Sequence, residues 1–152
     1  MEPKTSIVAV DGKQEIVITR NFDLPVDLLF KAYSESELIE QWMGTKVLKY
    51  DFRVHGSFRL QTTDQKGKQY GFHGVIHDFI PNQKIIRTFE MEGMPFGVQL
   101  EIYEFKKLTE STSHLRQLII YQSVSHRDEN LKLPFRQGIT WAHNRIEEVL
   151  SV

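Results

Sequence analysis

Towards the end of the chain, Leu131, Phe135, Ile139, Ala142, Ile146 and Val149 follow one another at steps of four, four, three, four and three. That spacing sets them on one face of a helix at 3.6 residues per turn. Arg136, His143, Arg145 and Glu148 fall on the other side and read as solvated. Upstream the period changes to two. Gln14 to Phe22 (QEIVITRNF) is β-branched and alternating, the pattern of a first strand. Val26 to Ala32 and Ser36 to Trp42 recover helical spacing as two short helices, with Pro25 suited to a first turn and Gly44 as the stop. Six further strands are predicted over Val47 to Val54, Ser57 to Thr62, Gln69 to Phe79, Lys84 to Met91, Gly97 to Lys107 and Ser113 to Ser123. Polar and Gly/Pro turns such as DQKGK and PNQ separate them. Such short connections imply antiparallel hairpins rather than crossovers. Pro134 interrupts the final helical pattern, so a short piece near Ser125 to Leu131 and a main helix from about Leu133 are expected.

The fold class is therefore α+β: a curved antiparallel sheet of about six to seven strands around a long C-terminal helix, with two short helices after the first strand. The length of 152 residues suits a single domain over 1–152, with its core at about 14–150. Lys plus Arg (19) nearly balances Asp plus Glu (20), so no basic field recruits nucleic acid. The absence of cysteine excludes a disulfide scaffold, thiolate metal sites and a cysteine nucleophile. No run approaches the roughly 20 apolar residues of a membrane span. MEPKTSIVAVDGKQ lacks the apolar stretch of a signal peptide, and a cytoplasmic location is expected.

The strand faces name a candidate site. Arg87 shares its parity with Ile85, Phe89 and Met91, and Gln117 shares its parity with Leu115, Ile119 and Tyr121. A buried charge needs a partner, and Glu101 or Tyr103 on the neighbouring strand can supply it. The alternative is a register slip at a bulge that leaves Arg87 in solvent. If the parity holds, Arg87, Glu101, Tyr103 and Gln117 point into an apolar pocket lined by Trp42, Phe58, Phe72, Phe89, Ile119, Phe135 and Ile139. Trp141 falls between the stripe and the flank of the long helix, and core packing is the competing account of both tryptophans. Gly138, beside Phe135 and Ala142, suggests close backbone approach or room for a ligand.

His55, His73 and His77 fall on adjacent strands, but His73 and His77 are four residues apart along one strand, about 13 Å, too far for one zinc ion. No metal and no cofactor are expected. His114, His126 and His143 read as surface residues. Phosphate loops, nucleophile elbows, His-Glu-x-x-His pairs and dinucleotide fingerprints are all missing, so no catalytic residue is assigned.

Four segments in this order resemble a known family: NFDLPVDLLFKAYSESELIEQWMG, DFRVHGSFRL, GVIHDFIPNQKIIRTF and YQSVSHRDENL followed by GITWAHNRIEEVL. They are similar to the group named after the C-terminal domain of the activator of heat-shock-protein-90 ATPase, within the START and birch-pollen-allergen-like helix-grip superfamily. DFRVHGSFRL departs from that group's Arg-x-Gly-Gly strand at His55. The resemblance implies a cavity between sheet and helix that holds a small hydrophobic or amphipathic molecule. It implies two other readings as well. One is a chaperone-associated regulator linked to the stress response, although that activator works with an additional N-terminal domain for which 152 residues leave no room. The other is a cyclase- or hydrolase-type enzyme on an aromatic or polyketide-like substrate, with Arg87, Glu101 and Tyr103 as the residues to test.

Overall fold

Alternation and helical spacing resolve into eight strands and four helices in the computed structural model of the protein, which describes residues 4–151. Residues 1–3 and 152, the extreme ends of the expected 1–152 domain and the start of the N-terminal stretch read above, lie outside it. In chain order the elements are β1 (Ser6–Val8), β2 (Glu15–Phe22), α1 (Val26–Ser34), α2 (Ser36–Met43), β3 (Lys46–Tyr50), β4 (Ser57–Thr63), β5 (Gln69–Ile80), β6 (Lys84–Met91), β7 (Val98–Lys107), β8 (Ser113–Ile120), α3 (Val124–Leu131) and α4 (Phe135–Leu150). All pairings are antiparallel, in the order β1-β2-β8-β7-β6-β5-β4-β3. From β3 to β8 the sheet is a meander of hairpins. The α1–α2 pair carries the chain from β2, beside β8, to β3 at the far edge.

The strand count corrects the expected six to seven. β1 is three residues long, too short to show a period of two, and lies at the edge paired only with β2. Two strand ends also differ by three residues or more. β3 stops at Tyr50 rather than Val54, because Asp51 and Arg53 enter a tight turn (Arg53 N–H to Asp51 carbonyl 2.9 Å, Gly56 N–H to Arg53 carbonyl 2.9 Å) with His55 in the left-handed region at φ 67°. β8 stops at Ile120 rather than Ser123, since the Ser123 hydroxyl caps α3 by accepting the His126 N–H at 3.1 Å. Pro134 separates α3 from α4 as expected, but it stands before the first turn, so α4 begins at Phe135 and not Leu133.

Register decides which side chains meet. Arg87 lies directly opposite Glu101, and Ile85 opposite Tyr103. On the next strand Tyr103 lies opposite Gln117, and Glu101 opposite Ile119. Because side chains alternate between faces, these residues form two adjacent cross-strand rows on the concave face. β4 approaches β5 and β6 closely here: a Cβ on Gly74 would lie 2.0 Å from the Thr88 carbonyl oxygen and 2.7 Å from the Phe58 ring. Only glycine fits.

The buried apolar residues divide into three clusters. One joins Tyr33, Trp42, Tyr103 and Ile146 with the α1 core. A second joins Ile16, Ile18, Ile119 and Tyr121 with Phe135 and Ile139 packed against them. The third is Phe58, Leu60 and Ile76, backed by Phe72 and Phe89. A protein interior is normally packed without gaps. Here the space between the three clusters is open.

Candidate functional site

A cavity of about 670 Å³ lies between the concave face of the sheet and α4. Phe72, Phe89, Arg87, Glu101, Tyr103, Gln117 and Ile119 line it from the strands, Trp42 from α2, and Phe135, Gly138, Ile139 and Trp141 from α4. Phe58 is placed otherwise: it is buried behind the wall with its ring against the Arg87 guanidinium, 5.1 Å from centroid to Cζ. Trp141 stands at the edge, 53% exposed. Around Gly138 a Cβ would meet nothing within 4 Å, so the helix leaves room there.

The polar part of the wall is one network. Arg87 Nε donates to Glu101 Oε1 at 2.8 Å, and Arg87 Nη2 donates to the Tyr103 hydroxyl at 2.7 Å. Tyr103 in turn donates to Glu101 Oε1 at 2.9 Å. Gln99 Nε2 donates to Glu101 Oε2 at 2.8 Å, while Gln117 Nε2 reaches Tyr103 Oη at 3.0 Å and Glu101 Oε2 at 3.4 Å. One carboxylate thus accepts four donors, and it is 3% exposed. The guanidinium is further enclosed by the rings of Phe89 and Tyr103 at 5.2 and 5.0 Å. Burial works against the charge of Arg87, but Tyr103, Glu101 and Tyr50 around it hold its pKa above the ordinary value. Burial raises the Tyr103 hydroxyl well above its usual range, with Arg87 opposing, so it stays protonated and donates.

Sequence reasoning missed several lining residues, including Met94, Phe96, Gln99, Asn130 and His143. Gln99 carried a usable signal, since it shares its parity with Glu101 and Tyr103 in β7. Met94 and Phe96 lie between β6 and β7, where no periodicity marks an inward face. His143, expected at the surface, is 2% exposed. It lies four residues after Ile139 and three before Ile146, so the covered face of α4 is wider than the apolar stripe. Its Nδ1 is 2.9 Å from the Thr5 hydroxyl, which also accepts Arg20 Nη1 at 3.0 Å. Arg20 continues to Asn144 Oδ1 at 2.8 Å and Glu147 Oε1 at 3.3 Å. Burial, with Arg20 nearby, pushes the His143 pKa down to about 3 and keeps the ring neutral.

On the outer face, His73 contacts Glu90 at 3.2 Å and Glu92 at 2.9 Å, with Arg59 also on Glu92. Among the described residues, no group of three His, Cys, Asp or Glu is placed to hold a metal ion. No helix among them is long and apolar enough to cross a membrane.

Comparison with solved structures gives the same architecture at low sequence identity. Protein Ms6760 from Mycobacterium smegmatis superposes with a TM-score of 0.83 at 18% identity, covering 95% of this chain and 97% of that one. A protein from Arthrobacter aurescens, solved in solution, superposes with a TM-score of 0.87 at 16% identity, covering 96% and 91%. Comparison with curated proteins gave no match. The family model described as Activator of Hsp90 ATPase homolog 1-like protein matches residues 23–151, which run from the turn before α1 to the end of α4 and include every residue of the cavity wall named above. The chain therefore belongs to the activator of Hsp90 ATPase homolog 1-like family, with its helix-grip fold.

Proposed function

We propose that this protein binds a small hydrophobic or amphipathic molecule between the sheet and α4. The observation that carries the reading is an aromatic-walled cavity of about 670 Å³ with the buried Arg87–Glu101–Tyr103 network on its wall. That volume falls in the range of small-molecule sites, roughly 300–1,000 Å³. Empty space in an apolar core costs stability, and Gly138 at the middle of the cavity's helical wall adds the cost of a glycine inside a helix. Both costs make sense in a protein that fills the space with something else. In this reading Trp42, Phe72, Phe89, Ile119, Phe135, Ile139 and Trp141 supply the apolar contact, while Arg87, Glu101, Tyr103 and Gln117 orient the ligand's polar end.

The test fills the space from the helix side. Gly138→Phe points a ring where a Cβ meets nothing within 4 Å. Titration with the environment-sensitive fluorophore N-phenyl-1-naphthylamine should saturate on the wild type and fail on the variant, with thermal unfolding showing both folded. Native mass spectrometry of freshly purified protein gives the second arm, because a co-purifying mass names the ligand class directly. Equal fluorophore binding by the two proteins would remove the cavity from the explanation.

A further inference from the structure

Resting on that binding reading, we infer that the ligand is uncharged: the cavity selects a neutral molecule with a hydroxyl, carbonyl or amide group and rejects carboxylates, sulfonates and ammonium ions of the same shape. The argument starts from the charges on the wall. Arg87 and Glu101 cancel each other in a direct pair at 2.8 Å, both buried. An anion at Arg87 would therefore face Glu101, and a cation at Glu101 would face Arg87.

Neither charge is free to leave the pair. The two oxygens of Glu101 already accept Arg87, Tyr103, Gln99 and Gln117. Nε and Nη2 of Arg87 are committed to Glu101 and Tyr103, and Nη1, which donates to no carboxylate among the described residues, is the donor left for a ligand carbonyl or hydroxyl oxygen. Beside it the network presents two amides whose nitrogens are held, leaving the Gln99 and Gln117 oxygens as acceptors. A hydroxyl or amide N–H satisfies such an acceptor. A carboxylate cannot.

The other titratable groups on the wall add no buried charge. His143 is tied through Nδ1 to Thr5 and is neutral. Tyr33 and Tyr103 are buried phenols whose pKa values burial raises. Lys68 is the remaining base; it is exposed, with its ammonium 5.3 Å from the Tyr70 ring centroid. A ligand charge carried inside would lose its water and meet only charges already paired with each other.

A matched pair of fluorophores tests this. N-phenyl-1-naphthylamine and 1-anilinonaphthalene-8-sulfonate share a skeleton and differ by the sulfonate. Wild-type protein at pH 7.5 should bind the neutral compound at least tenfold more tightly; a smaller preference overturns the inference while leaving the cavity reading intact. Absence of binding by either compound overturns the cavity reading itself. Glu101→Gln should then reverse the selection by leaving Arg87 as a buried cation, raising sulfonate affinity at least tenfold. Its amide can be accommodated because Gln99 and Gln117 can rotate to present oxygens. Unchanged sulfonate affinity in the folded variant overturns the inference. Should Glu101→Gln fail to fold, the double change Arg87→Met with Glu101→Leu tests the same point. With both charges gone the neutral preference must persist, and its loss overturns the inference.

Discussion

Replacing Arg87 with Met keeps most of the side-chain stem and removes only the charged head. The loss is predictable from the geometry. Glu101 is left 3% exposed with three neutral donors, Tyr103, Gln99 and Gln117, and no cation. Removing one partner of a buried pair costs about 3–5 kcal/mol because the other charge is stranded without water. The loss of ring contacts to Phe58, Phe89 and Tyr103 acts in the same direction. For a domain of this size each kcal/mol moves the melting temperature by about 2–4 °C, so a drop of roughly 6–20 °C is expected. Adding Glu101→Leu should then recover most of the loss, since two apolar side chains can replace a buried pair at little cost. Urea unfolding of the wild type, both single variants and the double variant closes a thermodynamic cycle on the interaction. A cost below about 1 kcal/mol for Arg87→Met, the scale of an exposed pair, would refute the claim that this ion pair is desolvated.

Two other outcomes follow from buried features. His143 titrates near pH 3 when folded and near 6.5 when unfolded, so below pH 6.5 the unfolded chain binds the extra proton and stability falls by about 1.4 kcal/mol per pH unit, reaching about 2 kcal/mol at pH 5. The contribution is fully present above pH 6.5. Urea midpoints at pH 7 and 5 should show this slope in the wild type and a shallower one in His143→Phe; equal slopes would mean the ring is not buried neutral. Gly74→Ala places a Cβ 2.0 Å from the Thr88 carbonyl oxygen and 2.7 Å from Phe58, so β5 and β6 must separate at a cost of about 2 kcal/mol or more, read from the same unfolding curves. A neutral result would show that the backbone yields freely there.

The pattern of the chain was enough for the elements and for the direction most of them face. A period of two in β6 puts Arg87 with Ile85 and Phe89, and a period near 3.6 in α4 puts Phe135, Ile139 and Ile146 together. These are local properties, set by backbone geometry over a few residues. Where the segment was too short to show an alternation it failed, as for the three residues of β1. It also failed at Asp51, where a turn follows an apolar run, and at Ser123, where a hydroxyl caps a helix.

The tertiary structure decided the rest, because the remaining questions concern distances between residues far apart in sequence. Parity alone left open whether Arg87 met Glu101, Tyr103 or solvent; the β6–β7 register, set by the connection between those strands, puts Arg87 beside both. His143 looked polar and therefore exposed. A contact 138 residues away, with Thr5, gives its ring a buried partner and removes it from water. The cavity itself has no signature in any single element, since its volume is the space left when α4 packs against α1, α2 and α3 and, through Phe135 and Ile139, on Ile16, Ile18 and Ile119 of the sheet. Sequence determined the inward face of most elements. How far apart the inward faces stand is a property of the packed whole, and that separation turns a hydrophobic core into a cavity.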